Sequence, residues 1–156
     1  MNNKNNKFRQ AVFVVIYRKN NLTKNFDFLL LKRKKHWIGW EFTKGGVESS
    51  DKNLFATAKR EVYEESSLKP IKIKKFNVQG KYLYKRRLQD RAEYIGQTYS
   101  LFSAQVAHKK GKIKIDKSEH SSFKWLSFEK AYKKLRFSNQ KRCLAIVNKS
   151  LKNDKN

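Results

Sequence analysis

Acidic residues, proline and cysteine are all scarce in this sequence. Its 156 residues contain 13 Asp and Glu, one proline and one cysteine, against 38 Lys and Arg. The single cysteine, Cys143, excludes an intramolecular disulfide and a cysteine-rich zinc site, and we expect no disulfide-linked partner. No segment approaches the roughly 20 apolar residues that a membrane-spanning helix needs. We therefore expect a soluble protein that has no membrane partner.

The N-terminal residues, MNNKNNKFRQ, also lack the apolar core of a secretory signal peptide. These absences favour a cytoplasmic protein. Polar composition at the two ends predicts a disordered arm at residues 1–7 and a frayed tail at residues 152–156. Residues 8–151 contain no linker-like segment and no internal repeat, which predicts a single domain. Hydrophobic residues make up 38% of the chain, enough for a packed core.

The formal net charge is +25. A positive field of this size attracts polyanions and speeds their capture, which indicates a nucleotide, polyphosphate or RNA partner. The basic residues are, however, spread along the whole sequence, and a proteome rich in Lys and Asn would give the same excess without any function. Both interpretations stay open, and the charge alone does not identify a ligand.

Runs rich in β-branched and aromatic residues predict strands at Ala11–Tyr17, Phe26–Leu31, Trp37–Phe42, Ile71–Gln79, Lys81–Tyr84, Gln97–Ala107 and Phe123–Leu126. The first two runs are expected to form a hairpin, and residues 108–115 form a basic, hairpin-like segment. Helices are predicted at Asn53–Ser66, from Ser127 onward, and at about Asn139–Leu151. This order predicts an α+β fold, an α/β/α sandwich in which helices flank a mixed sheet.

Three of the acidic residues, Glu61, Glu64 and Glu65, fall within five positions of a predicted helix. Positions i, i+3 and i+4 share one face of a helix, so these carboxylates repel one another. A divalent cation would offset that repulsion, and Mg²⁺ and Mn²⁺ are hard ions that prefer oxygen ligands. The alternative is a solvated helix face on which Lys59 and Arg60 pair with the glutamates.

The segment Lys44-Gly45-Gly46 lies upstream of this helix, at the end of a predicted strand. Glycine lets the backbone approach a phosphate closely, and lysine adds a positive charge. A glycine loop beside a carboxylate helix places phosphate donors next to metal ligands. Cleavage of a diphosphate linkage requires such an arrangement.

The stretch from Gly45 to Leu68, GGVESSDKNLFATAKREVYEESSL, resembles the Nudix box. The matching residues are Gly45, Arg60, Glu61, Val62, Glu64, Glu65 and Leu68. Three features depart from the family pattern: Asp51 replaces a glutamate, one additional residue separates Asp51 from Arg60, and Ser67 replaces a glycine. Ser67 must then terminate the helix where glycine is favoured, and Asp51 is a candidate N-cap.

The resemblance implies a Nudix fold and a hydrolase that cleaves a diphosphate linkage with one to three divalent cations, Mg²⁺ or Mn²⁺. It assigns metal binding to Glu61, Glu64 and Glu65, and it makes the carbonyl of Gly45 a further candidate ligand. By the same resemblance, Arg60 supports the loop through a buried ion pair, for which Asp51 is the candidate partner.

The resemblance extends beyond the box. The segment WEFTKG at residues 40–45 resembles the corresponding segment of Nudix enzymes that act on dinucleoside polyphosphates, with Thr43 in place of a proline. Glu119 and the run FKWL at residues 123–126 resemble a later loop and strand that supply an additional carboxylate. Residues 137–141, FSNQK, are similar to the start of the terminal helix in that group.

Glu119 is therefore a candidate for an additional metal ligand or for the general base. The alternative is a surface carboxylate that pairs with Lys117 or Lys124. His120 is a second, weaker candidate for the same work.

The candidate substrate contacts are of two kinds. Lys32, Arg33 and Lys44 are candidates to bind phosphate, and each could equally be an ordinary solvated cation. Trp37 and Tyr84 are candidates to stack on a base, with core packing as the alternative.

We expect hydrolysis of a dinucleoside polyphosphate, such as diadenosine tetraphosphate, to two nucleotides. One alternative is removal of pyrophosphate from RNA 5′ ends, either triphosphorylated or capped, and another is hydrolysis of diphosphoinositol polyphosphates. A fourth hypothesis is a catalytically inactive Nudix fold that binds RNA or the ribosome. Loss of the Glu64–Glu65 pair would indicate the last of these, and the pair is present.

Overall fold

A mixed β-sheet lies between helices in the computed structural model, which describes residues 7–108 and 113–154. Its strands are β1 (Lys7–Lys19), β2 (Phe26–Arg33), β3 (Gly39–Glu41), β4 (Thr43–Gly46), β5 (Lys72–Leu83), β6 (Tyr94–Gln105) and β7 (His120–Leu126). Its helices are α1 (Leu54–Ser66), α2 (Phe128–Lys134) and α3 (Ser138–Asp154), with a short 3-10 helix at Gln89–Arg91.

Strand β1 is the centre of this sheet. It pairs in parallel with β6 and antiparallel with β2 and β4. β2 also pairs with β3 and β7, and β6 pairs antiparallel with β5. The predicted hairpin between the first two strands is confirmed by the pairing of Tyr17 with Phe28. The register between β1 and β4 places Gly45 opposite Val12 and Gly46 opposite Ala11, so the two glycines lie beside the central strand.

Alternate side chains of β1 enter two different cores, because successive residues of a strand face opposite sides of the sheet. Val12, Val14 and Ile16 pack on the α1 side, together with Val62. On the other side, the buried core residues of β1, of α2 with its C-cap residue, and of α3 are Phe13, Val15, Tyr17, Ala131, Leu135, Cys143, Leu144, Val147 and Leu151. Helices therefore cover both faces of a mixed sheet, which confirms the predicted α/β/α sandwich.

Two predictions about strands are wrong. The runs at 71–79 and 81–84 form one strand, β5, whose pairing with β6 is interrupted between Lys75 and Gln79. The glycine segment predicted as a loop belongs to β4, because its backbone pairs with β1.

The ends of the domain also differ from the prediction. β1 begins at Lys7, within the predicted arm, and α3 extends to Asp154, three residues into the predicted tail. The hairpin-like segment predicted at residues 108–115 lies partly outside the described residues. No helix in the described parts of the chain is long and apolar enough to cross a membrane.

Helix α1 has a defined cap at each end. The side chain of Asn53 accepts a hydrogen bond from the backbone N–H of Ala56, so Asn53, and not Asp51, is the N-cap. Ser67 adopts the left-handed conformation with φ 62°, and its N–H donates to the carbonyl of Tyr63 at 2.7 Å. Ser67 thus terminates the helix in the position where glycine is favoured, as expected.

Candidate active site

Glu65 lies inside the protein, near the end of α1. It is 2% exposed, and neither carboxylate oxygen has a hydrogen-bond partner among the described residues. Burial, and then the negative charges of Glu41, Glu61 and Glu119, raise the pKa of Glu65 well above its usual value. The Thr43 hydroxyl partly offsets this rise, but it does not meet the geometry of a hydrogen bond. A buried carboxylate with two unpaired oxygens fits a cation as its partner.

Glu61, one helical turn earlier, is the second buried carboxylate of α1. It approaches β4 so closely that a Cβ atom at Gly45 would overlap the carboxyl carbon of Glu61. This close approach explains why position 45 is a glycine. Burial raises the pKa of Glu61 to about 7 against the attraction of Arg60, and the charge of Glu64 adds to the rise.

Arg60 connects the carboxylates of α1 to the loop that precedes the helix. Its Nη1 donates to Glu61 at 2.9 Å and to Glu64 at 3.1 Å. Its Nε and Nη2 donate to the two carboxylate oxygens of Asp51, at 3.0 and 2.9 Å, and Nη2 also donates to the Gly46 carbonyl at 2.8 Å. The structure thus brings Asp51 and Arg60 together, and the hydrogen bonds from Arg60 lower the pKa of Asp51.

Glu64 differs from its two neighbours because its side chain is 49% exposed. It lines the same cavity as Glu61 and Glu65, so the three predicted metal ligands are brought together. One face of α1 therefore presents two buried carboxylates and one that solvent can reach.

Glu119 is the last residue of the turn that leads into β7, and His120 is the first residue of that strand. The ligand atoms of Glu65, Glu119 and His120 lie within 4.8 Å of one another. Glu119 is half-buried, and among the described residues its carboxylate makes no ion pair, including with the alternative partners Lys117 and Lys124. The structure thus places Glu119 beside the predicted metal ligands.

Glu41 is a site residue that the sequence predictions missed. It is fully buried, forms ion pairs with Arg33 at 3.0 Å and Lys44 at 3.1 Å, and accepts a hydrogen bond from Nε2 of His120 at 2.9 Å. Although burial opposes ionisation, Lys44, the hydrogen bond from His120 and the charge of Arg33 lower the pKa of Glu41 to about 2. A glutamate within an otherwise apolar, aromatic run was the available signal. Arg33 and Lys44, predicted as phosphate contacts, are therefore already paired with a carboxylate.

The carboxylates of α1 and Glu119 line a cavity of about 900 Å³. The carboxylates that line it are Glu48, Glu61, Glu64, Glu65, Asp116 and Glu119. The lysines and arginines that line it are Arg9, Arg33, Lys44, Lys81, Lys85, Arg86, Arg91 and Arg136. A cavity with both signs of charge suits a phosphate chain, because carboxylates bind its cations and basic residues bind its oxygens.

Four of the five predicted substrate contacts line this cavity, namely Arg33, Trp37, Lys44 and Tyr84. Lys32 does not. It precedes Arg33 in β2, so its side chain faces the opposite side of the strand. The structure therefore does not bring Lys32 to the site.

Two aromatic pairs also line the cavity. The rings of Trp37 and Phe137 meet edge to face, with their centroids 4.9 Å apart. The rings of Tyr82 and Tyr84 do the same at 6.2 Å, and the Tyr84 hydroxyl donates a hydrogen bond to Gln97 at 3.0 Å. Each pair is a candidate surface on which a nucleobase could stack.

Strand β4 with its two glycines and helix α1 with its three glutamates both line this cavity, and the sequence that forms them matches one protein family. The model of the NUDIX domain family matches residues 7–145, so the chain belongs to this family. Family membership confirms the prediction of a hydrolase. The chain has no significant match among curated protein sequences.

Solved structures share this fold over nearly the whole chain. A C. elegans Ap4A hydrolase binary complex is 20% identical, with a TM-score of 0.72, covering 93% of this chain and 98% of that chain. A proposed NUDIX hydrolase from Listeria monocytogenes is 25% identical, with a TM-score of 0.73 and coverage of 95% and 96%. The NUDIX domain of Shewanella oneidensis NrtR, in complex with ADP ribose, is 15% identical, with a TM-score of 0.74 and coverage of 97% and 94%.

Proposed function

We propose that this hydrolase uses Mg²⁺ or Mn²⁺ to cleave a diphosphate linkage in a dinucleoside polyphosphate, such as a dinucleoside tetraphosphate. The observation that carries the proposal is the buried, unpaired carboxylate of Glu65, whose ligand atom lies within 4.8 Å of those of Glu119 and His120. Carboxylate oxygens are the ligands that these hard cations prefer.

Glu61, Glu64 and Glu65 are the proposed ligands of one to three ions, with the carbonyl of Gly45 as a further ligand. Bound ions of this kind neutralise phosphate charge, orient the diphosphate and lower the pKa of a coordinated water. The chain itself keeps the ligands in position, because Arg60 joins the carboxylates of α1 to the loop through Asp51.

Glu119 is the proposed general base. Its carboxylate is half-buried, lines the cavity and has no ion-pair partner among the described residues. It is therefore free to accept the proton of the attacking water. The carboxylate of Glu41, in contrast, is held in ion pairs with Arg33 and Lys44.

The two aromatic pairs support a substrate that carries a base at each end. Trp37 and Phe137 provide one surface and Tyr82 and Tyr84 provide another, within one cavity of about 900 Å³. Base–aromatic stacking is worth about 1–3 kcal/mol per base. The likeness to the C. elegans Ap4A hydrolase is consistent with this choice.

Removal of pyrophosphate from RNA 5′ ends is the second candidate. Lys85, Arg86 and Arg87 follow β5 as three consecutive exposed cations, and the first two line the cavity. A basic run at this place would suit the trailing chain of an RNA. Diphosphoinositol polyphosphates are a third substrate class with the same chemistry. An inactive RNA- or ribosome-binding module is disfavoured, because all three glutamates of α1 are present and line the cavity.

A substrate panel tests these alternatives. We expect diadenosine tetraphosphate to be hydrolysed in Mg²⁺ or Mn²⁺ with a higher kcat/KM than 5′-triphosphorylated RNA or a diphosphoinositol polyphosphate. No hydrolysis of any of the three by a folded, metal-loaded protein would favour the inactive binding module.

Glu64→Gln tests the metal site itself. Glu64 is half exposed, so the amide should leave the fold intact while it removes the ligand charge. We expect the rate to fall on the order of hundreds-fold or more, as for loss of a major electrostatic stabiliser. Glu129→Gln, an equal change of charge on the exposed side of α2, is the control and should retain full activity. Near-normal turnover by Glu64→Gln would refute the assignment.

A further inference from the structure

Arg9 is a half-buried cation in the wall of the cavity, and the proposed reaction gives it no role. It lies on β1, and its guanidinium packs directly against the backbone of β4. A Cβ atom at Gly46 would overlap the Cζ and Nη2 atoms of Arg9. The two consecutive glycines of β4 thus make room for different groups: Gly45 for the Glu61 carboxylate and Gly46 for this guanidinium.

Arg9 has no fixed anionic partner. In residues 7–108 and 113–154, its side chain makes no hydrogen bond and no ion pair. Arg33 and Arg60, which also lie at the cavity, each hold a carboxylate at 3.0 Å or less. Arg9 is close enough to Glu61 and Glu119 to feel their charges, yet it is paired with neither. A partly buried guanidinium without a partner is costly, unless a ligand supplies the anion.

A second guanidinium, that of Arg91, is near enough to repel the guanidinium of Arg9. Arg91 comes from the short 3-10 helix between β5 and β6, lines the same cavity and repels Arg9. Burial, and then this repulsion, lower the pKa of Arg9. The neighbouring Asp90 contacts His36 at 3.0 Å and Lys35 at 3.5 Å, which ties the 3-10 helix to the turn after β2, and it forms a longer ion pair with Arg91 at 3.7 Å. The repulsion is therefore built into the folded chain.

We propose that Arg9 and Arg91 form an anion subsite, which binds a phosphate group of the substrate outside the diphosphate that the metal-binding carboxylates span. The proposal rests on the proposed function and deepens it, because such a subsite selects substrates with three or more consecutive phosphates. Two guanidiniums present several N–H donors to phosphate oxygens, and one added phosphate relieves both the repulsion and the lack of a partner.

Binding of non-hydrolysable nucleotides tests the subsite without turnover. The probes are the methylene analogue of ADP and the bis(methylene) analogue of ATP, each titrated calorimetrically in Mg²⁺ into the full chain. The unmodified protein should bind the triphosphate analogue more tightly. Arg9→Gln should weaken binding of the triphosphate analogue about tenfold or more, as expected for a charge-assisted hydrogen bond, and binding of the diphosphate analogue much less.

Matched variants separate this effect from total charge and from folding. Arg142→Gln removes an exposed cation of α3 that does not line the cavity, and it should change neither affinity. Arg9→Lys, which keeps the charge, should recover part of the affinity lost in Arg9→Gln. Thermal unfolding establishes that each variant is folded.

Three results would overturn the subsite. They are equal loss of both affinities in Arg9→Gln, no loss of either, and a diphosphate analogue that already binds the unmodified protein as tightly as the triphosphate analogue. Failure of the proposed function has a different readout, because absence of hydrolysis of every substrate in Mg²⁺ leaves these binding affinities measurable.

Discussion

Two buried glutamates lie close together in this protein, and their surroundings are opposite. Glu41 is paired with Arg33, Lys44 and His120, and its pKa is lowered to about 2. Glu65 has no partner for either oxygen among the described residues, and its pKa is raised. The chain has 38 lysines and arginines, yet none pairs with Glu65 in the described residues. The contrast supports Glu65 as the residue whose cation comes from solution.

The unpaired state of Glu65 predicts how the metal-free protein responds to pH. Its folded-state pKa lies above the value of about 4.3 for an unfolded glutamate. Stability therefore falls as the pH rises from that value toward the folded-state pKa. In EDTA, Glu65→Gln should reduce this fall as the pH rises above about 4.3, because an amide carries no buried charge. Part of the pH dependence of stability should remain in the Glu65→Gln variant, because the pKa of Glu61 is also raised.

Thermal unfolding over that pH range checks the prediction, with Glu129→Gln as the charge-matched control. Added Mg²⁺ should raise the unfolding temperature of the unmodified protein more than that of Glu65→Gln, because ligand binding stabilises the folded state. Identical pH profiles of the unmodified protein and Glu65→Gln in EDTA would show that Glu65 is not an unpaired carboxylate.

Glu119 has a kinetic prediction of its own. If it accepts the proton of the attacking water, Glu119→Gln should depress kcat much more than it raises KM, because substrate binding does not need the base. The acid limb of the pH–rate profile should also flatten. Steady-state kinetics over a pH series measures both effects. Unchanged turnover together with an unchanged profile would leave Glu119 as a cavity carboxylate without a role in proton transfer.

At the scale of elements, local patterns predicted what depends on local sequence. The apolar spacing of α1, the β-branched run of β1 and the hairpin to β2 were all readable because each rests on neighbouring residues. Strand β4 could not be predicted in this way, because its pairing with β1 joins residues that are 29 to 35 positions apart. The contacts of Glu41 with Arg33 and His120 depend on β2, β3 and β7 meeting in space, which no local pattern encodes.

The C-terminal cap of α1 predicts a stabilising substitution. Ser67 has φ 62°, a conformation that costs an L-residue roughly 1–2 kcal/mol and costs glycine nothing. Its hydroxyl makes only a long hydrogen bond of 3.4 Å to a carbonyl. Ser67→Gly should therefore stabilise the protein by about 1 kcal/mol, which raises Tm by roughly 2–4 °C for a chain of this size.

Ser121→Gly is the control for this prediction, because Ser121 is exposed in β7 and has no positive φ. Glycine there adds freedom to the unfolded chain without relieving any strain, so Tm should fall. Calorimetry of the two variants in the same buffer makes the comparison. A lower Tm for Ser67→Gly would mean that the hydroxyl contributes more than the conformation costs.

At the scale of the whole molecule, the net charge of +25 coexists with an acidic site. Six of the 13 acidic residues line one cavity, together with eight lysines and arginines. Cations in solution are repelled by the net charge of the chain and attracted by the carboxylates of this site, whereas polyphosphates are attracted by the net charge. Binding of metal together with the phosphate substrate is favoured by this distribution.

The charge also separates the two leading substrate classes by their response to salt. An RNA that contacts several lysines and arginines releases counterions when it binds, so log K falls steeply with log salt. Such a chain would lose orders of magnitude in affinity between about 50 and 200 mM salt. A dinucleoside tetraphosphate carries few charges, and the metal ions and the cations of the cavity neutralise most of them, so its affinity should depend only weakly on salt.

We expect 5′-triphosphorylated RNA, if it is cleaved, to show a far steeper salt dependence than diadenosine tetraphosphate. Near about 150 mM salt, where the long-range field is screened within roughly 8 Å, the dinucleotide should keep the higher kcat/KM. Measuring kcat/KM for both substrates over a salt series makes the comparison, and an RNA that remains the better substrate at that salt would reverse the ranking and assign a function to the basic surface.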